Sequence, residues 1–167
     1  QDLRDPSRSR GGRLIMLGTP NCGSYTIPQV FTGKEKVVRL LAAADLRHSL
    51  SELLDILASF VGSYQMLPSP ARIPVGEQVL YRPEMWGRFG VSPQHLARAF
   101  QTHSELERDA PGDPERMLYV AGSNQETLSG IEVLGPGDFR YTTTWLGDGR
   151  VPHALGLLPG VRSYFVE

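Results

Sequence analysis

Few side chains in this chain are equipped for covalent chemistry, and they are dispersed. There is one cysteine, Cys22, and four histidines, His48, His95, His103 and His153. No Cys/His cluster has ligand spacing, so neither a metal site nor a cofactor is expected. The acid that stands out is Asp148, held between Gly147 and Gly149. A carboxylate in such a turn serves one of two ends. It can hydrogen-bond its own backbone as an ordinary Asp-Gly turn residue. Alternatively it can orient a histidine base and stabilise the imidazolium, as ester cleavage by a serine nucleophile requires. Cys22 follows an apolar run and is a candidate nucleophile, with His153, five residues beyond Asp148, as its base. No His or Asn pattern around Cys22 supports that pairing, and a lone cysteine commonly serves only as a small buried residue. His153 reads equally as a surface-loop histidine, and His103 as a core or boundary histidine on an apolar helix face. Ser24, Ser63, Ser123 and Ser129 all lie outside any Gly-x-Ser-x-Gly elbow.

The elements that must position these residues are legible from periodicity. Arg13 to Leu17, Met117 to Ala121 and Val161 to Val166 read as short strands. The first two are continuous apolar runs closed by turn residues, as in buried parallel strands. Thr19 to Thr32 reads as a loop. Lys34 to Leu46 reads as a helix. Ser49 and Glu52 have capping-box spacing ahead of a second helix that ends near Gly62. Tyr64 to Gly90, rich in proline and aromatics, is expected to be mostly irregular. Its cluster Tyr64, Met66, Tyr81, Met85, Trp86 and Phe89 suits either a lid over an acyl chain or plain core packing. Ser92-Pro93 starts a helix running to about Asp109, and residues 110–114 form a turn. Ile131 to Leu134 and Phe139 to Thr144 flank Gly135-Pro-Gly-Asp138 as a hairpin. The order of elements predicts an α/β fold with a mostly parallel sheet, helical material and a β-hairpin.

Bulk properties narrow the function classes. Hydrophobic residues make up 40% and charged residues 21%, ordinary values for a globular chain with a real core. A net charge of −1 gives no electrostatic case for a nucleic-acid partner. The apolar runs are too short to span a bilayer, so no integral membrane segment is expected. A single cysteine excludes an internal disulfide framework and fits a reducing compartment.

Three patterns, in order, carry a family resemblance. They are Leu14-Ile-Met-Leu-Gly-Thr-Pro-Asn-Cys-Gly-Ser24, Met117-Leu-Tyr-Val-Ala-Gly-Ser123 and Gly147-Asp-Gly-Arg-Val-Pro152. Together they resemble the second half of an α/β-hydrolase of the lipase and lecithin:cholesterol acyltransferase-like kind. Phe60-Val-Gly-Ser-Tyr-Gln-Met-Leu-Pro68 also looks like a segment found in some relatives. The resemblance covers nearly all of the chain after Arg13. It implies a flexible lead-in over 1–12 and the C-terminal part of a hydrolase domain over 13–167, with 33–115 as a cap or lid. It makes Asp148 the acid of a Ser-Asp-His triad and lines the substrate cleft with Gly18, Thr19, Pro20 and Asn21. The chain departs from the family in lacking the serine elbow, which is expected upstream of Gln1, and the histidine, expected just past Glu167.

The expected activity is therefore that of the acid-bearing part of a serine esterase, lipase or acyltransferase acting on acyl esters, inactive in isolation. The missing N-terminal half, or self-association through an exposed sheet edge, is the expected partner. The alternative from a different class is a non-catalytic α/β module for binding or assembly.

Overall fold

The computed structural model describes residues 12–109 and 112–167. The expected lead-in therefore lies, Gly12 apart, outside the described residues, as do Ala110 and Pro111 of the expected turn. The architecture is mixed α/β. Strands β1 (Leu14–Leu17), β2 (Met117–Gly122) and β5 (Arg162–Val166) form a parallel sheet in the order β1-β2-β5. Strands β3 (Thr127–Gly135) and β4 (Asp138–Thr144) form a separate antiparallel pair. The two-residue turn Pro136-Gly137 joins them, and Gly137 takes the positive φ that the turn demands.

Between β1 and β2 lie α1 (Thr26–Phe31), α2 (Lys36–Ala44), α3 (Leu50–Ser59), α4 (Val61–Gln65) and α5 (Pro93–Asp109). A short α6 (His153–Gly156) precedes β5. The helix starts follow local chemistry. Ser49 and Glu52 close a reciprocal capping box on α3. The Glu35 carboxylate accepts from the Val37 and Val38 amides and caps α2. Ser92 Oγ accepts from His95 N at 3.3 Å, with Pro93 as the first residue of α5.

The stretch 19–32, expected as a loop, contains α1. Burial of Ile27, Pro28 and Phe31 holds this single turn and a half in place, a tertiary effect that its Pro and polar residues conceal. The stretch 64–90 is likewise more regular than its prolines suggest. It carries two 3-10 helices, Val75–Tyr81 and Pro83–Trp86, each beginning immediately after or at a proline.

The larger core lies under the helices and the hairpin. Phe31, Tyr64, Leu67, Leu80, Trp86, Leu96, Ile131 and Phe139 pack together there. Trp86 stands edge-on to both Phe31 and Phe139, and its indole N–H donates to the Leu80 carbonyl at 3.0 Å. Each such buried ring contributes roughly 1.5–3 kcal/mol through area removed from water. Tyr64 and Trp86 of the aromatic cluster thus belong to the core, whereas Met66 is exposed.

The parallel sheet is covered differently from what its apolar runs imply. Met16, Tyr119 and Ala121 share one face and pack against Leu157, Leu158 and Val161. Ile15, Leu17 and Tyr164 point the other way, and Leu17 remains 71% exposed. Parallel sheets elsewhere are covered on both faces. Here, among the described residues, one face is left uncovered, so the strands read as buried are half-buried or exposed.

Candidate functional site

Asp148 sits at the carboxyl edge of the parallel sheet, where open α/β sheets bind their ligands. Two glycines at the ends of strands make room for it. A Cβ on Gly122, the last residue of β2, would stand 2.6 Å from the Asp148 Cβ. A Cβ on Gly18, just past β1, would stand 3.0 Å from Asp148 Oδ2, and Gly18 also holds a φ of 56°. Gly18 and Gly122 therefore bracket the carboxylate, and larger residues at either position would displace it.

The turn itself is built from backbone amides. Asp148 Oδ1 accepts from Arg150 N at 2.8 Å and Val151 N at 2.7 Å. Gly149 N donates to Thr127 Oγ1 at 2.8 Å, and that buried hydroxyl donates in turn to the Gln125 carbonyl. Ser24 Oγ donates to the Arg150 carbonyl. The Arg150 guanidinium reaches Glu35 Oε1 at 2.8 Å. Burial raises the Glu35 carboxyl pKa, but the bonds from Arg150, Val38 and Val37 outweigh it and hold the group below its ordinary range. The turn is thereby tied to α1 through Ser24, to α2 through Glu35 and to β3 through Thr127.

One carboxylate oxygen of Asp148 is occupied by the turn. Among the described residues Oδ2 has no hydrogen-bond partner, and it faces Gly18. Both roles read from the sequence are thus compatible in one side chain: Oδ1 makes the turn, and Oδ2 remains free to accept from an imidazole N–H. The carboxylate is also sensed by Tyr119. Burial, with the charges of Asp148 and Cys22, pushes that phenol up to about 12. The Tyr119 hydroxyl donates to the Thr19 carbonyl at 3.0 Å.

The four residues expected to line a cleft divide in their roles. Gly18 meets Asp148, and its N–H extends the parallel ladder to the Val120 carbonyl. The Thr19 carbonyl receives Tyr119 and the Asn21 amide. The Pro20 carbonyl receives Gly23 N. Asn21 turns away to donate to the Gly156 carbonyl at 2.7 Å.

His153 is not brought to Asp148. Its Nε2 lies 2.8 Å from the Gly122 carbonyl, which can only accept, so that nitrogen carries the proton. Its ring lies against Phe165. Ser123 Oγ is 3.4 Å from the same nitrogen, a pair that sequence spacing does not reveal. A nitrogen already donating to a carbonyl cannot take a serine proton, so these two residues do not form a nucleophile and base.

Cys22 is buried, and its thiol lies 4.0 Å from Glu107, not against His153. Burial raises its pKa, partly countered by Arg72, so the thiol stays protonated rather than becoming the reactive thiolate. The Cys22-His153 pairing raised by the sequence is not formed. His103 is buried on α5, as its helix face implies, and burial holds its ring neutral. Among the described residues no group of three or more His, Cys, Asp or Glu side chains could hold a metal ion. Nor is any described helix long and apolar enough to cross a membrane.

No family model matches this chain, and neither a curated protein nor a solved structure matches it.

Proposed function

We propose that this chain is the acid-bearing part of a serine esterase, lipase or acyltransferase that acts on acyl esters, with Asp148 as the triad acid. The observation that carries the proposal is the division of labour in the Asp148 carboxylate. Oδ1 is fixed by two turn amides, and Oδ2 is left open at the carboxyl edge of a parallel sheet. In such chemistry the serine hydroxyl attacks the acyl carbon while histidine takes its proton. Asp148 would hold the imidazole in the right tautomer and stabilise its cationic form. The alcohol then leaves with the proton that histidine returns, and water or a second alcohol releases the acyl group.

The serine and histidine must come from elsewhere, because no serine here occupies an elbow and His153 is engaged by Gly122. Among the described residues the outer edge of β1 is unpaired and one sheet face uncovered, which would give a place for the strand and helix that carry them. The test compares hydrolysis of p-nitrophenyl butyrate by this chain, by the polypeptide extended through its flanking coding sequence, and by that polypeptide carrying Asp148→Asn. The chain alone should be inactive and the extended protein active. Asp148→Asn should lower kcat by about 10⁴-fold, the order seen when a triad acid loses its charge. Undiminished turnover in Asp148→Asn would remove the proposal.

A second reading rests on the bare sheet face: a non-catalytic α/β module whose exposed Ile15, Leu17 and Tyr164 serve assembly. An extended protein that never hydrolyses esters, but associates stably through that face, would favour it.

A further inference from the structure

Three arginines stand side by side at the amino edge of the parallel sheet. Leu14 pairs with Met117, and its N–H donates to the Arg116 carbonyl at 2.8 Å, so Arg13 and Arg116 are neighbours one step before the β1-β2 ladder. Leu118 pairs with Ile15 on one side and Arg162 on the other, which sets those three in one row. Neighbouring strands run about 4.8 Å apart, and side chains alternate along each. Arg13, two residues before Ile15, and Arg116, two before Leu118, therefore fall on the same face as Arg162. That face is the one left uncovered among the described residues. A small cavity of about 80 Å³ bears out the arrangement: Arg13, Ile15, Arg116, Leu118 and Arg162 all line it.

Like charges set this close repel one another. Arg13 and Arg162 are both exposed, and among the described residues neither has an ion-pair partner. Glu115 also lines the cavity, and it pairs with neither. Two guanidiniums from different strands thus bring two uncompensated charges to one space. A carboxylate carries one charge and two oxygens, enough for one arginine fork. A phosphate group carries nearly two charges and three acceptor oxygens, enough for two forks. The cavity is far smaller than the about 300–1,000 Å³ of ordinary small-molecule pockets, so it takes a compact group rather than a whole nucleotide or sugar. A substituent on that group would lie outside the cavity, over Ile15, which is 58% exposed on the same face.

We infer that this edge of the sheet is a phosphate-binding site, in which Arg13 and Arg162 hold a phosphate group, free or carried by a phosphomonoester, with Arg116 beside them. The inference does not depend on the esterase reading, since Asp148 stands against Gly18 and Gly122 at the opposite, carboxyl edge of the sheet.

The experiment follows the arginine Cζ resonances of the ¹³C-arginine-labelled chain at about pH 8, where phosphate is mainly a dianion. Inorganic phosphate, hexyl phosphate and acetate are titrated in turn at constant ionic strength. Inorganic phosphate should shift the Arg13 and Arg162 resonances saturably and leave that of Arg72 unmoved, because Arg72 is tied to Glu107. Arg13→Gln and Arg162→Gln, both at exposed positions, should each weaken binding about tenfold, the value of one charge-assisted hydrogen bond. The alkyl phosphate identifies the source. If it binds about tenfold tighter than the inorganic ion, as burial of a few methylenes allows, the ligand is a phosphorylated amphiphile whose chain lies on Ile15. Equal affinity identifies the free ion. No saturable shift with either phosphate would overturn the inference. So would a response to acetate as strong as that to phosphate, or full binding when both arginines are replaced by glutamine.

Discussion

Arg150 reaches 115 positions back along the chain to place Nη1 2.8 Å from Glu35 Oε1, joining the Asp148 turn to the N-terminus of α2. Glu35 is buried and also accepts from the Val37 and Val38 amides, so one carboxylate caps a helix and holds a distant turn. Its folded pKa lies below its ordinary 4.5. The stability it supplies is therefore fully present above 4.5 and is lost as pH falls through the lower folded value. Urea midpoints taken at about pH 7 and about pH 3 should fall less in Glu35→Gln than in the wild type. Arg150 is more than half exposed, so solvent screens the pair, and a Glu35→Gln, Arg150→Met double-mutant cycle should give a coupling of only about 0.5–1 kcal/mol. Equal acid sensitivity in the wild type and Glu35→Gln would mean that other carboxylates govern the transition.

Gly122 offers a sharper probe of the same turn. Its own backbone is tolerant, but an added methyl would fall 2.6 Å from the Asp148 Cβ and 3.3 Å from its Cα. Backbone and Cβ cannot yield as a flexible side-chain tip can, so Gly122→Ala must displace the turn or β2. We expect a loss of about 1–3 kcal/mol in denaturant unfolding, the ordinary cost of overpacking. In an extended, active polypeptide it should also lower kcat more than it raises KM, because the displaced group orients the base rather than binding substrate. A Gly122→Ala protein of unchanged stability would show that Asp148 is not pressed against the end of β2.

The strands, the hairpin and the capped helices were legible because each rests on local signals. The Gly135-Pro-Gly-Asp138 turn between its two flanking runs, the Ser49-Glu52 box and Ser92-Pro93 all act within a few residues. The turn at Asp148 was equally local. What surrounds it was not, because Gly18, Gly122, Thr127 and Glu35 converge on it from positions that no periodicity connects. For the same reason α1 was concealed: only the core that buries Phe31 makes a helix of a stretch that looks like a loop. Exposure of β1 and β5 was hidden in another way. A continuous apolar run states what a strand would bury, not whether a neighbour is present to cover it.

That uncovered surface gives the last expectation. Ile15, Leu17, Tyr164 and Val166 are all exposed on the bare face of the sheet, and β1 and β5 are both edge strands. Exposed apolar edges template pairing with other chains. The chain alone should therefore self-associate, with a weight-average mass that rises with concentration in sedimentation equilibrium. Leu17→Lys and Tyr164→Lys remove exposed apolar surface, and charge on a sheet edge resists pairing. The double variant should shift the protein toward monomer while changing its unfolding free energy by no more than about 0.5 kcal/mol, as surface substitutions do. If the wild type sediments as a single monomer at every concentration, the face is not adhesive, and neither a docking strand nor an assembly role can be argued from it.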